Sequence, residues 1–392
     1  MAESIYSTYL KARKKSGLWR SLRPVGVSQQ GRTILSGESV LNFSSNDYMG
    51  LASHPALKKK SRQWIKKWGA GSTASRLVCG NMELFEQVEG RLVAGKGSEA
   101  ALVFSSGFGA NSGILSALLD RQVLKKQPQV FSDRLNHASM HHGLRAAGVR
   151  QIRYRHNDLD HLEELLKKSG PGPKFILSET VFSMDGDRAD VAGLLSLKER
   201  YGAFLYLDEA HAAGVLGPAG LGLATEFKGR ADLVMGTFSK GLGGFGAYAA
   251  CSQDLKDFLI NHCSSFIFAT ALPPGVLGSM AAALDLLPSM AKERRSLLAQ
   301  GERLRTALRG AGLDVGYSST QIVPVILGDN QRCIEVSRRL EKKALLGIAI
   351  RPPAVPAGKS RLRLSLTANH SSQDIDKLIQ GIIESVAEVD RA

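Results

Sequence analysis

Short apolar runs alternate with amphipathic stretches from about residue 100 to residue 250. The runs are Ala101–Ser105, Gln129–Ser132, Gln151–Tyr154, Phe175–Glu179, Ala203–Asp208, Leu233–Thr237 and Ala247–Cys251. They are almost continuously apolar, which predicts strands buried on both faces. Between them, Leu159, Leu162, Leu165 and Leu166 recur at helical spacing. Such strand–helix alternation predicts an α/β fold with a mostly parallel seven-stranded sheet sandwiched by helices. Near residue 290 the pattern changes to long charged amphipathic helices, separated by one strand pair around Gln321–Leu327 and Ile348–Arg363. The last helix carries Ile375, Leu378, Ile379, Ile382 and Ile383 on one face, with Ser371 or Ser372 as its N-cap. The expected division is an N-terminal arm opening with a basic helix (1–45), a large domain (46–290) and a smaller C-terminal α+β domain (291–392).

Composition narrows the class. The chain has 392 residues, of which 43% are hydrophobic and 22% charged, as in ordinary soluble proteins. No apolar run reaches the roughly 18 residues of a membrane span, so no membrane partner is expected. The opening Met1–Tyr6 lacks a basic start followed by an apolar stretch, which argues against a secretory leader. Cys79, Cys251, Cys263 and Cys333 match neither a zinc pattern nor a small disulfide framework. Reduced thiols in a cytoplasmic protein without bound metal are the expectation. The net charge of +15 points to an anionic partner: nucleic acid, a phosphate-rich coenzyme or an acidic carrier protein. Most basic doublets, such as Lys66–Lys67 and Lys342–Lys343, read as solvated helix faces.

Chemistry gathers where the strands end. In α/β sheets ligands sit beyond the carboxyl ends of the strands. Ala101–Ser105 runs into Ser106-Gly107-Phe108-Gly109-Ala110-Asn111, a helix start whose small residues expose N–H groups to an anion. His137 and Ser139 follow the second strand and Ser183 the fourth; Asp208 to His211 follow the fifth, and Thr237 to Lys240 the sixth. A lysine among small residues can condense with an aldehyde if its pKa is lowered. A strand-end carboxylate can keep a pyridine nitrogen protonated, and a histidine can stack on a flat ring. Each residue alone has a plain structural explanation, such as Asp208 as a cap or His137 as an ordinary helix histidine. Together on one sheet edge they build a site.

At this point the sequence resembles a known family. Asn42–Tyr48, Gly69–Arg76, Phe182–Gly186, Asp208–His211 and Thr237–Gly241 are similar, in consistent order, to the α-oxoamine synthases. These are pyridoxal-phosphate enzymes of fold type I, and the resemblance spans about residues 40 to 370. It implies pyridoxal 5'-phosphate as cofactor, Lys240 as its covalent anchor and carrier of the substrate's Cα proton, and Asp208 as partner of the pyridinium nitrogen. It gives His137 to ring stacking, Ser183 and His211 to the phenolic oxygen, and Thr237 with the backbone at Gly107 and Phe108 to the phosphate. Thr270 would reach the phosphate of a neighbouring subunit, which implies a homodimer. Arg363 would clamp the amino-acid carboxylate. The segments Trp19–Arg20, Phe182–Asp187 and Ile350–Gly358 resemble the member that condenses L-alanine with pimeloyl-CoA or pimeloyl-acyl carrier protein. On that likeness Arg20, Asn46, Ala354 and Arg363 contact substrate. Relatives that use other amino acids or acyl chains compete with this reading.

Two departures bear on specificity. The loop Leu119–Gln129 is longer than expected for that member, and Ser239 and Leu242 replace other common residues. A competing motif also exists. Asp208–His211 spells a helicase box, and Gly90–Gly97 nearly spells a P-loop. The P-loop requires Ser or Thr after its lysine and a preceding strand. Gly97 stands after Lys96, and Leu84, Phe85, Val88 and Leu92 mark a helix, so nucleic acid is not expected as a partner.

Overall fold

Three short strands precede the region where the sequence suggests a sheet. In a computed structural model that describes residues 4–392, β1 (Val25–Gln29), β2 (Arg32–Leu35) and β3 (Glu38–Asn42) form an antiparallel meander. Its turns are Gln30–Gly31 and Ser36–Gly37, all with positive φ. Two-residue turns of that kind match the twist of a hairpin. The described residues up to Asn46 therefore do not form a separate arm. They belong to one unit with Met184–Asp187 and the chain from Arg295 onward, whereas Asp47–Ser183 and Arg188–Arg294 form the other.

The larger unit contains β4 (Ala100–Phe104), β5 (Gln129–Asp133), β6 (Gln151–Tyr154), β7 (Lys174–Glu179), β8 (Ala203–Asp208), β9 (Leu233–Thr237) and β10 (Ala247–Cys251). Their order across the sheet is β4-β10-β9-β8-β7-β5-β6. Only β10 runs against its neighbours, because the Phe238–Gly246 connection is too short for a crossover helix. Side chains alternate between two cores. Phe175, Leu177, Tyr206 and Met235 pack with Ile114, Leu115, Met140 and Leu144 on one face. Phe131, Ile176, Leu205 and Leu207 pack with Leu162, Leu166, Leu194 and Leu195 on the other. Apolar burial on both faces explains why these strands read as continuous apolar runs. The long loop after the helix Gly107–Leu118 is not slack: it holds the turn Arg121–Leu124, capped by Asp120, which also meets His262 Nε2 at 2.8 Å.

The smaller unit contains β11 (Ile322–Gly328), β12 (Leu345–Leu346), β13 (Ile348–Ile350) and β14 (Ser360–Ser365). The expected strand pair is a three-stranded antiparallel sheet, β11-β14-β13. Ile348–Arg363 splits in two because Pro352, Pro353 and Pro356 interrupt it. β12 pairs in parallel with β3, and Leu346 packs with Leu35 and Val40. That pairing ties the N-terminal meander to the C-terminal chain. The final helix, Ser372–Asp390, is capped by Ser371 in a reciprocal box with Asp374 and buries Ile375, Leu378 and Ile382. Among the described residues, no helix is long and apolar enough to cross a membrane.

Candidate active site

Two of the cavities in the larger unit adjoin opposite ends of its parallel strands. One of about 610 Å³ lies where β8 and β9 begin, and Phe204, Phe227 and Phe258 line it. The other, about 250 Å³, lies at the carboxyl ends of the parallel strands. The smaller holds the chemistry. Gly107, Phe108, His137, Asp208, His211, Thr237 and Lys240 all line it, as the sequence suggested. Ser183 and Thr270 belong to the same unit but are not part of this lining; Ser183 is half-buried and Thr270 exposed. Arg20, Asn46, Ala354 and Arg363 belong to the smaller unit.

A corner suited to an anion starts at the end of β4. Ser106 caps the following helix by accepting from the Gly109 N–H at 3.1 Å. The helix's first N–H groups have no intrahelical acceptor and attract an anion. A Cβ at Gly107 would come within 2.7 Å of Thr237 Cγ2. Only glycine lets these two segments close on each other. Thr237 Oγ1 is buried there without a hydrogen-bond partner. A buried orphan hydroxyl beside a helix N-terminus fits a phosphate oxygen.

Asp208 ends β8 and is fixed on both oxygens. Its Oδ1 accepts from the Ala210 N–H at 2.8 Å and its Oδ2 from Asn111 Nδ2 at 2.7 Å. Tyr206 donates to Asn111 Oδ1 at 2.7 Å, and Asn111 Nδ2 also reaches Ser139 Oγ at 2.9 Å. Ser139 Oγ meets His137 Nδ1 at 2.7 Å. One connected network thus orients both the carboxylate and the imidazole. Protein packed around His137 lowers its pKa, with Asp208 opposing and Lys240 reinforcing the shift. A neutral imidazole is the form suited to stacking on a cationic ring. His211 is held by Tyr48, whose hydroxyl lies 2.7 Å from Nδ1.

Lys240 follows β9 in a turn pressed against the loop after Asp208. A Cβ at Gly214, where φ is +94°, would lie 2.6 Å from the carbonyl carbon of Gly241. Backbone-to-backbone packing therefore brings the lysine turn close to the Asp208 loop. Asn111, Ser139, Tyr206 and Tyr48 had no assigned role from sequence. Asn111 closes the motif after β4, and Tyr48 ends the Asn42–Tyr48 segment, so both lay within segments that carried a signal. The near P-loop resolves differently. Lys96 ends the helix Leu84–Lys96, is buried, and donates to Glu209 and to Leu221 O. It is bound within the protein, not presented to a nucleotide.

In the smaller unit, Arg363 on β14 donates to Asn46 Oδ1 at 3.1 Å and to Ser365 Oγ at 2.9 Å. These contacts aim a planar guanidinium that is 7% exposed. Arg20 donates to Pro352 O at 3.2 Å, which ties it to the proline-rich segment carrying exposed Ala354.

Comparison with known proteins gives the family. The family model for aminotransferase class I and II matches residues 38–382. A Magnetococcus marinus protein described as a putative 8-amino-7-oxononanoate synthase is 59% identical over 98% of both chains. A Gluconacetobacter diazotrophicus protein described as 8-amino-7-oxononanoate synthase is 52% identical, again over 98% of each. A solved structure described as SPT with PLP superposes with a TM-score of 0.91 over the full length of both chains, at 25% identity.

Proposed function

As a member of the class I and II aminotransferases, and within them of the α-oxoamine synthases, this chain is a fold-type I pyridoxal-phosphate enzyme, and we propose that it is an 8-amino-7-oxononanoate synthase. It joins L-alanine to a pimeloyl thioester, with loss of carbon dioxide and release of the free thiol carrier, in biotin synthesis. The observation that carries this reading is identity of 59%, over 98% of both chains, to a relative described as a putative 8-amino-7-oxononanoate synthase.

When bound, pyridoxal phosphate supplies an electron-withdrawing ring that stabilises negative charge at the amino acid's Cα. The protein's own groups do the rest. Asp208, fixed by Asn111 and the Ala210 N–H, holds the proton on the ring nitrogen. His137 stacks on the ring, while Ser183 and His211 bind its phenolic oxygen. Thr237 and the N–H groups at Gly107 and Phe108 hold the phosphate, joined by Thr270 of a second subunit in a homodimer. Lys240 anchors the cofactor and carries the Cα proton. Arg363, steadied by Asn46, binds the alanine carboxylate, and Arg20 and Ala354 face the acyl substrate. The charge of +15 suits an anionic carrier, coenzyme A or acyl carrier protein. Four cysteines without a disulfide suit a cytoplasmic enzyme.

Two variants probe these roles. Thr237→Val removes a hydroxyl meant for a dianion, so cofactor affinity should fall about tenfold to a hundredfold. Equilibrium titration of the apoprotein with pyridoxal phosphate measures this; unchanged affinity would remove Thr237 from the phosphate site. Arg363→Lys loses the two-pronged fit to a carboxylate. KM for L-alanine should rise about tenfold or more while cofactor binding stays the same. Substrate identity itself is tested by absorbance titration with L-alanine, glycine and L-serine, followed by pimeloyl-CoA and a free-thiol assay. Selective response to L-alanine with thiol release supports the reading. A response led by glycine or serine moves the reaction to a sister enzyme.

A further inference from the structure

The segment Gly69–Arg76 carries part of the family resemblance, yet it does not line the cavity at the strand ends. It lies against the stretch that holds Thr270. Ser75 and Thr270 form an isolated antiparallel bridge. The Ala271 N–H donates to Ala74 O at 3.0 Å, and Ser72 Oγ donates to Ala271 O at 2.5 Å. Residue 76 follows this bridge directly. Arg76 Nη1 donates to Glu89 Oε1 at 2.5 Å, Nη2 to Glu89 Oε2 at 3.4 Å, and Nε to Asn81 Oδ1 at 2.7 Å. Its guanidinium lies 4.0 Å from the centre of the Phe85 ring and 5.4 Å from that of Phe266. The two charged side chains are 11% and 6% exposed. Glu89, on the helix Leu84–Lys96, also accepts from the Val103 N–H of edge strand β4 at 2.9 Å. Lys256, on the helix Gln253–His262, reaches its Oε2 at 3.2 Å.

We propose that Arg76, held by Glu89, is a positioning residue that sets where Thr270 stands when it reaches the phosphate bound in a second copy of the chain. The inference rests on the role given to Thr270 above and deepens it. Thr270 is exposed, and residues 268–273 lie outside helix and sheet. Neither burial nor a strand ladder fixes its hydroxyl, yet a polar contact needs its groups held to within about 0.5 Å. The Arg76–Glu89 pair supplies that support. Glu89 joins two helices and β4 in one hub. A guanidinium with two prongs on that carboxylate and its face near an aromatic ring has one orientation. Fixing Arg76 fixes the bridge from Ser75 to Thr270. Phe266, four residues before Thr270, lies near the same guanidinium, so the opposite stretch is gripped as well. Leu77 and Val78 beside Arg76, and Phe268 near Thr270, are 52%, 78% and 83% exposed. An exposed apolar face of this kind fits cover by a second copy.

The test is a double-mutant cycle on cofactor affinity. Arg76→Lys keeps a positive charge for Glu89, so the fold survives, but it loses the second prong and the flat face. Equilibrium titration with pyridoxal phosphate compares the parent, Arg76→Lys, Thr270→Val and the double variant. Thr270→Val should weaken binding about tenfold, and Arg76→Lys about threefold or more. The double variant should bind no more than about twofold more weakly than Thr270→Val, because both changes act on one contact. A residue with only a general structural role weakens binding by the same factor with or without the Thr270 hydroxyl. Losses that multiply therefore overturn the inference, as does unchanged affinity in Arg76→Lys. Unchanged affinity in Thr270→Val overturns the role of Thr270 and this inference with it, so the two failures are told apart. Amide hydrogen exchange of the apoprotein gives a readout free of cofactor. The Ala271 N–H should exchange about tenfold faster in Arg76→Lys, while Tyr206 and Leu207 in β8 keep the parental rate. Parental exchange at Ala271 overturns the inference. An equal rise in β8 marks general destabilisation and overturns it too.

Discussion

Replacing Lys240 with alanine is expected to abolish turnover and the visible absorbance of the lysine-bound cofactor together. In the proposed mechanism the amine serves twice, as the covalent anchor and as the carrier of the Cα proton. Loss of proton transfer alone costs about 10²- to 10⁴-fold in kcat, and loss of covalent attachment adds to that. The phosphate corner at Gly107 and Thr237 and the Asp208 network do not depend on Lys240. Pyridoxal phosphate should therefore still bind, with the spectrum of the free aldehyde. Absorbance spectra of the purified variant, recorded with and without L-alanine, measure the effect. A variant that keeps the parental band would show that another amine holds the cofactor. Exogenous methylamine should restore part of the activity, because a small amine can carry the proton but cannot act as the anchor.

Replacing Lys96 with methionine should destabilise the protein by about 3–5 kcal/mol, the usual result of removing one partner from a buried ion pair. The Lys96 and Glu209 side chains are 3% and 0% exposed. Glu209 also accepts from the Ala224 N–H at 2.8 Å, and Lys96 donates to Leu221 O at 2.6 Å. Methionine leaves the Glu209 charge buried beside apolar groups. Glu209→Gln added to Lys96→Met removes that charge and keeps an oxygen for the Ala224 N–H. The double variant should therefore recover most of the loss, and urea denaturation midpoints of the three proteins measure both effects. An unchanged midpoint in Lys96→Met would mean that the site hydrates when the cation leaves. Burial lowers the Lys96 pKa, but Glu209 and Tyr248 outweigh it and raise the pKa overall. With the folded pKa raised, the stabilisation is present at neutral pH and is lost only as pH rises through that value.

The strands of the large sheet were legible because burial on both faces demands apolar residues at every position. Ala203–Asp208 and Leu233–Thr237 appear with the bounds read from sequence. The meander β1–β3 was not, because Val25–Gln29 is exposed at every residue and carries no burial pattern. Its signal lay in the turns Gln30–Gly31 and Ser36–Gly37. The strand β12 is two residues long and pairs with β3, far away in sequence, so no local pattern announces it.

The residues of the site divide in the same way. His137, Asp208, Thr237 and Lys240 were readable because polar and titratable side chains at the carboxyl ends of parallel strands converge in a sheet of this kind. Asn111 and Glu179 were not readable. An asparagine inside an apolar helix and a glutamate at a strand's last position have ordinary local explanations. Their meaning comes from neighbours distant in the chain: Asn111 meets Asp208, and Glu179 stands level with it across the β7–β8 pair. By itself the sequence determined the α/β class and the row of polar side chains, Lys240 among them, that follow the strand ends, because local periodicity and residue type are enough for these. Only the tertiary structure decided which polar groups share one hydrogen-bond network and which are buried side by side. Those depend on distances and burial that arise when separate strands are brought side by side.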